Sequence, residues 1–259
     1  MTEAARSALL AAVALGVVLW LVSLWLRDAS IVDLFWGPLF VVIAGTAYRV
    51  GMGSGPRRLL VLGLIALWAL RLSFHLARRN VGNGEDPRYR AMRERRRRYF
   101  WLWSLPSVFL LQPLLAWVVA APVIAVMLDK GPASLGFFDL AASLVFVLGL
   151  GLETVADRQL TAFRKDPRNR DQVLDQGLFR YSRHPNYFGE FVLWWGFGLF
   201  GLAAGSVASL VGPALLSLLL LRVSGVTLLE STIVSRRPRY SHYKATTNAF
   251  FPGPPRRLS

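Results

Sequence analysis

Nine polar side chains sit inside or beside long apolar runs. Asp33, Arg71, His75, Glu153 and Glu190 lie within them, and Gln112, Asp157, Asn186 and Glu230 lie at or near their ends. Ionisable groups inside a bilayer are costly and mark a pathway or a site. Arg71 with His75, Glu153 with Asp157, and Asn186 with Glu190 are each four residues apart, which sets both members of a pair on one helix face. In "RHPNYFGE", Pro185 suits a first helical turn and His184 a flanking cap. Glu190 then falls about one turn in, where the partial positive charge of a helix start favours a carboxylate. Carboxylates, an amide and cations in such places can hydrogen-bond a polar cofactor or pass a proton to a reacting oxygen. The plainer alternative is that they pair with one another, Asp33 with Arg71 for instance, and hold a bundle together.

The elements that must carry these groups are long and apolar. Hydrophobic residues make up 54% of the 259-residue chain. Seven stretches come close to the roughly 20 helical residues that cross a bilayer: 7–26, 31–48, 59–77, 107–128, 137–156, 189–204 and 207–229. The first lacks an A-x-A-like cleavage site and a strongly basic start, so it reads as a retained helix. Runs of this kind predict an all-α fold, a polytopic membrane helix bundle of about seven transmembrane helices. The expected organisation is one integral membrane domain over 1–259, with a cofactor-binding half at about 137–255.

Net charge is +15, and its placement predicts orientation. The 78–106 connection holds nine arginines, the 157–188 connection seven Lys or Arg, and the tail after Arg222 six more. The opposite connections hold only Arg6, Arg49, Arg57, Arg58 and Lys130. That asymmetry predicts N-out, C-in. Attraction to anionic lipid accounts for basic loops equally well. In this topology all nine polar groups fall in one inner-leaflet layer, a polar cavity open to the cytoplasm. Short basic loops against a membrane argue against nucleic acid. The absence of cysteine and the scatter of three histidines argue against a metal. "GMGSG" at 51–55 lies in an outer turn and implies no dinucleotide fold, and no G-x-S-x-G elbow supports a nucleophilic serine. An Arg-rich, Lys-poor chain suggests a bacterial inner membrane as its setting.

"LETVADRQLTAFRKDP", "LDQGLFRYSRHPNYFGE" and "LLESTIVSRRPRYSHY" resemble the DUF1295 branch of the membrane steroid 5-alpha-reductase family. That superfamily also takes in sterol C14-reductases and, more distantly, isoprenylcysteine carboxyl methyltransferases. The resemblance extends more weakly to "IVDLFWG" and "ALRLSFHLARRNVGNGEDPRY". It implies NADPH in a cytoplasm-facing cavity and reduction of a C=C bond conjugated to a carbonyl, in a steroid-like or other lipid entering from the bilayer. It implies cofactor contacts at Glu153, Asp157, Arg164, Tyr181, Arg183, His184, Asn186, Tyr187, Glu190, Glu230, Arg237 and Tyr240. The family's substrate-side glutamate and tyrosine align with Asp33 and Trp68. Tryptophan cannot do a tyrosine's acid work, so Arg71, His75 or Tyr89 stands as the substitute. An S-adenosylmethionine-dependent methyltransferase is the rival, since the same motif serves that cofactor in relatives. The cations around the motif favour NADPH, whose phosphates suit arginine forks.

Overall fold

A computed structural model describes residues 1–80, 82, 84–131, 134–223 and 240–256. All regular structure among them is helical. Four helical segments are long and apolar enough to cross a membrane: Glu3–Leu26, Pro56–Asn80, Pro87–Val119 and Phe137–Lys165. The chain forms two compact units, Met1–Gly136 with Phe200–Gly212, and Phe137–Leu199 with Pro213–Ser259.

In the first unit, α1 (Glu3–Leu26) starts at the Thr2 cap, whose hydroxyl accepts from the Ala5 N–H, and ends at Arg27 in the left-handed conformation. The second apolar stretch is not one helix. It divides into α2 (Ile31–Leu34) and α3 (Trp36–Val50). The 15 residues of α3 rise about 22 Å, short of a 30 Å hydrocarbon core. The break leaves Asp33 on α2, outside α3. Next comes α4 (Pro56–Asn80). It packs closely on α3, because a Cβ on Gly37 would lie 2.9 Å from the Ala69 Cα and only glycine fits there.

The segment expected as an inner loop contains α5 (Pro87–Arg96), started by an Asp86 cap and Pro at the first turn. It continues through α6 (Phe100–Ser104), a π-helical stretch Leu105–Leu110 that holds Pro106, and α7 (Leu111–Val119). A break at Ala120 separates α8 (Ala121–Leu128). Leu19, Val32, Tyr89, Phe100, Val108 and Phe109 form a buried apolar cluster that joins α1, α2 and α5 to the stretch after them.

The second unit is built on α9 (Phe137–Lys165), whose 29 residues run on about two turns past its apolar part. It crosses α10 (Pro185–Ala203) at glycines. A Cβ on Gly149 would lie 2.3 Å from the Leu193 nitrogen, and one on Gly189 would lie 2.4 Å from the Glu153 nitrogen. Backbone therefore meets backbone over that contact. Phe146 and Phe197 pack edge-on beyond it, with ring centres 5.2 Å apart. The last apolar stretch contains α11 (Val211–Leu218) and a π-helical turn Leu219–Val223.

Candidate functional site

Asp33 is the focus of a polar cluster in the first unit. Its Oδ1 accepts a 2.6 Å hydrogen bond from the Tyr89 hydroxyl, and its Oδ2 forms a 2.7 Å ion pair with Arg88. The Gln112 amide donates to the Tyr89 oxygen at 3.4 Å. Three elements thus contribute: α2 the carboxylate, α5 the phenol and the guanidinium, α7 the amide. The phenol ring is buried in the apolar cluster and only its hydroxyl reaches the polar groups. The Gln112 Oε1 is buried with no hydrogen-bond partner among the described residues.

The loops before α2 and α5 are stitched together, and the stitching fixes this geometry. Glu85 accepts from the Ala29 N–H at 2.9 Å and is gripped by Arg93 at 2.8 Å and 3.0 Å. Burial alone would push the Glu85 carboxyl up. The Arg93 and Ala29 hydrogen bonds and the charges of Arg93 and Arg90 outweigh it and hold the group below its ordinary value. Asp86 behaves alike: burial raises it, but hydrogen bonds from the Arg88 side chain and N–H, with the Arg88 charge, win and lower it. The Ser30 hydroxyl accepts from the Asp86 N–H, and the Ser73 hydroxyl on α4 donates to the Leu34 carbonyl. These bonds leave α2 little freedom to slide past α5.

Of the predicted substrate-side residues, Asp33 stands in this cluster. Arg71 and His75 lie half-buried on α4, one turn apart. Trp68 is fully buried, with its ring edge-on to Phe40 at 5.3 Å, so it packs in the core of the unit. Arg88 is the functional candidate that sequence reasoning missed. Its signal was present in "EDPRYR", where Asp-Pro announces a helix start, but the segment read as loop because almost nothing in it is apolar.

In the second unit the α9–α10 crossing brings the two carboxylate-bearing faces together. Glu153 and Asp157 are 3% and 6% exposed, and the Asn186 amide donates to Asp157 at 3.2 Å. Glu190 is half-buried on the same face of α10 as Asn186. Pro185 is the first residue of α10, as its ring requires, and His184 before it stacks on Tyr187 at 5.6 Å. The loop between α9 and α10 is tied to the chain's C-terminal segment. Arg183 donates to the Lys244 and Thr247 carbonyls, and its N–H donates to the Asn248 carbonyl. The Ser182 hydroxyl donates to the Phe250 carbonyl, and Tyr243, which pairs with Tyr240 at 5.8 Å, donates to the Phe179 carbonyl. Arg183 thus serves to anchor the C-terminal segment. Tyr181 is exposed and Arg164 projects from the end of α9. Arg164, Lys165 and Arg170 line an open cavity of about 280 Å³ with Asp166 and Asn169. Arg168 pairs with Asp166 at 2.7 Å. Glu230 and Arg237 lie outside the described residues.

These features define an all-helical integral membrane protein with an aspartate–tyrosine–arginine cluster in one unit and a paired carboxylate–amide cluster in the other. The chain belongs to the DUF1295 family, described as a protein family of unknown function, whose profile matches residues 19–247. It is 29% identical over 263 residues to an uncharacterized protein of the fission yeast Schizosaccharomyces pombe, covering 92% of this chain and 76% of the yeast protein. No solved structure matches.

Proposed function

We propose that this protein is a membrane-embedded, NADPH-dependent reductase of a C=C bond conjugated to a carbonyl in a lipid substrate. The observation that carries the reading is the Tyr89–Asp33 hydrogen bond with Arg88 on the other carboxylate oxygen. In this arrangement a phenol proton sits at the edge of a buried apolar cluster, shared with a carboxylate. Reduction of an enone develops negative charge on the carbonyl oxygen, and a donor aimed at that oxygen lowers the barrier. When a carbonyl oxygen enters, the Tyr89 hydroxyl turns from Asp33 towards it. Arg88 keeps the Asp33 charge compensated while this happens, and the Gln112 amide continues to support the phenol oxygen. Tyr89 thus performs the acid role that Trp68 cannot.

The residues of the second unit fit the cofactor. Asn186 and Glu190 offer a donor and an acceptor to a nicotinamide amide or a ribose, and Glu153 and Asp157 offer acceptors to ribose hydroxyls. Arg164, Lys165 and Arg170 around one cavity suit phosphates. Bound NADPH supplies the hydride for the β-carbon. The same reading carries the seven-span, N-out, C-in topology, with the cofactor arriving from the cytoplasm.

The test is thermal stabilisation of detergent-purified protein by NADPH and by S-adenosylmethionine, followed by NADPH oxidation with steroid, sterol and long-chain enones. Stabilisation by NADPH and consumption with at least one enone class is expected. Stabilisation by S-adenosylmethionine alone makes the protein a methyltransferase. Stabilisation by neither ends the enzymatic reading.

A further inference from the structure

The arginine-rich segment after Asp86 does more than orient the chain. α5 spends two of its guanidiniums internally, Arg88 on Asp33 and Arg93 on Glu85. Arg95, Arg96 and Arg97 follow. All three are exposed, and none of their guanidiniums makes a side-chain hydrogen bond or an ion pair with the described residues. The guanidiniums near them are ordered by aromatic faces: Arg93 lies 4.4 Å over Phe100, Arg96 4.7 Å over Trp103 and Arg98 4.8 Å over Tyr99. Arg93 spends its N–H edge on Glu85 and Arg98 donates to the Tyr99 hydroxyl at 2.8 Å, whereas Arg96, stacked on its ring, keeps its N–H edges available for phosphate oxygens.

The apolar neighbours of this cationic surface are exposed as well. Tyr99, Trp101 and Leu102 are 57%, 50% and 55% exposed. The end of α1 contributes Trp25, which is 83% exposed, and Arg27 after it. Trp20 joins the two elements, its indole N–H donating to the Trp101 carbonyl at 2.9 Å. Exposed indoles and a phenol beside arginines are what the headgroup zone of a membrane selects, because the rings dissolve in the acyl boundary while the cations meet phosphate. Loop charge suffices to set topology. Ordered guanidinium stacks beside wide, exposed rings are not needed for it.

We propose that the segment Arg95–Leu102, with Trp25 and Arg27 of α1, is a binding surface for anionic phospholipid headgroups. Charge complementarity selects the occupant: the surface offers unpaired cations beside apolar rings, and an anionic lipid offers phosphate beside acyl chain. One arginine near an anionic leaflet gains about fivefold in affinity. The proposal does not depend on the reductase reading.

The test uses the full-length protein in vesicles that contain brominated phosphatidylglycerol or brominated phosphatidylcholine at equal mole fraction. Subtracting the emission of Trp101→Phe protein from that of the parent isolates the Trp101 signal. Expected is quenching by both lipids, with relative binding to phosphatidylglycerol at least fivefold stronger. The preference falls towards one in the Arg95→Gln/Arg96→Gln/Arg97→Gln variant. It falls likewise in the unmutated protein at about 1 M salt, where charges are screened beyond about 3 Å. The salt series decides the matter if the triple variant does not fold. A ratio near one in the unmutated protein, a preference unchanged by salt, or no quenching of Trp101 by either lipid overturns the proposal.

Discussion

The α9–α10 crossing can be tested at one atom. In Gly189→Ala, the new methyl would lie 2.4 Å from the Glu153 nitrogen, 2.8 Å from its Cα and 2.8 Å from the Gly149 carbonyl oxygen. All three are backbone atoms, so no side chain can swing aside. The helices must part by about 1 Å to restore van der Waals contact. That parting carries the Asn186–Asp157 hydrogen bond, 3.2 Å in the folded protein, out of range. Overpacking of this kind costs about 1–3 kcal/mol, and alanine's better helix propensity returns about 1 kcal/mol of it. A net loss of about 1 kcal/mol lowers the melting midpoint by about 2–4 °C in a chain of this size. Gly151→Ala on the partner helix α9 is the control, since its Cβ meets nothing within 4 Å, and it should melt at or slightly above the parent. Both proteins are melted in detergent by fluorescence or circular dichroism, with and without NADPH. If Gly189→Ala melts with the parent, or if Gly151→Ala falls by the same amount, the close crossing is wrong.

Four more expectations can be measured. Tyr89→Phe should lower enone turnover by about 10²–10³-fold, the usual effect of losing one donor to a developing oxyanion. In the same assay Asp33→Asn should lower turnover more than it weakens cofactor binding; an unchanged rate in either variant removes that residue from the chemistry. Asn186→Ala and Glu190→Ala should lose NADPH-dependent thermal stabilisation while the protein still inserts in the membrane, and normal affinity in both displaces the cofactor site. Glu85 is held below its ordinary value of 4.5, so its contribution to stability is complete above that value and is lost as pH falls through the folded-state value. Melting between pH 6 and pH 3 should show this loss in the parent. Glu85→Gln should start less stable and show a smaller slope, and superimposable curves refute the role given to Glu85.

Local periodicity made the second unit legible. Glu153 with Asp157 and Asn186 with Glu190 are fixed on helix faces by a spacing of four, and Pro185 marks the start of α10 as only a ring without an N–H can. What spacing does not encode is which face meets which. Gly149 and Gly189 decide that, and a glycine in an apolar helix reads equally as a packing contact or as nothing at all. Gly63 and Gly151, which meet nothing within 4 Å, prove the ambiguity. The second and fourth apolar stretches show a further limit. Hydropathy averages over the breaks at Phe35 and Ala120, so it draws one continuous stretch where the helix is interrupted.

The first unit was harder to read because its key contacts are between segments distant in sequence. Arg88 and Tyr89 reach Asp33 across more than fifty residues, and no periodicity links them. α5 has no wide apolar stripe that would announce its burial. What buries Tyr89 is a set of polar bonds at the loops: Glu85 to Ala29 and Arg93, and Ser30 to Asp86. A helix with so many arginines can approach the apolar cluster only where acids neutralise the inward-facing ones. Asp33 and Glu85 do that for Arg88 and Arg93, and the arginines without such partners remain at the surface. The division of labour along α5 therefore follows from where the acids are, and the chain carries so few of them that each one's position is informative.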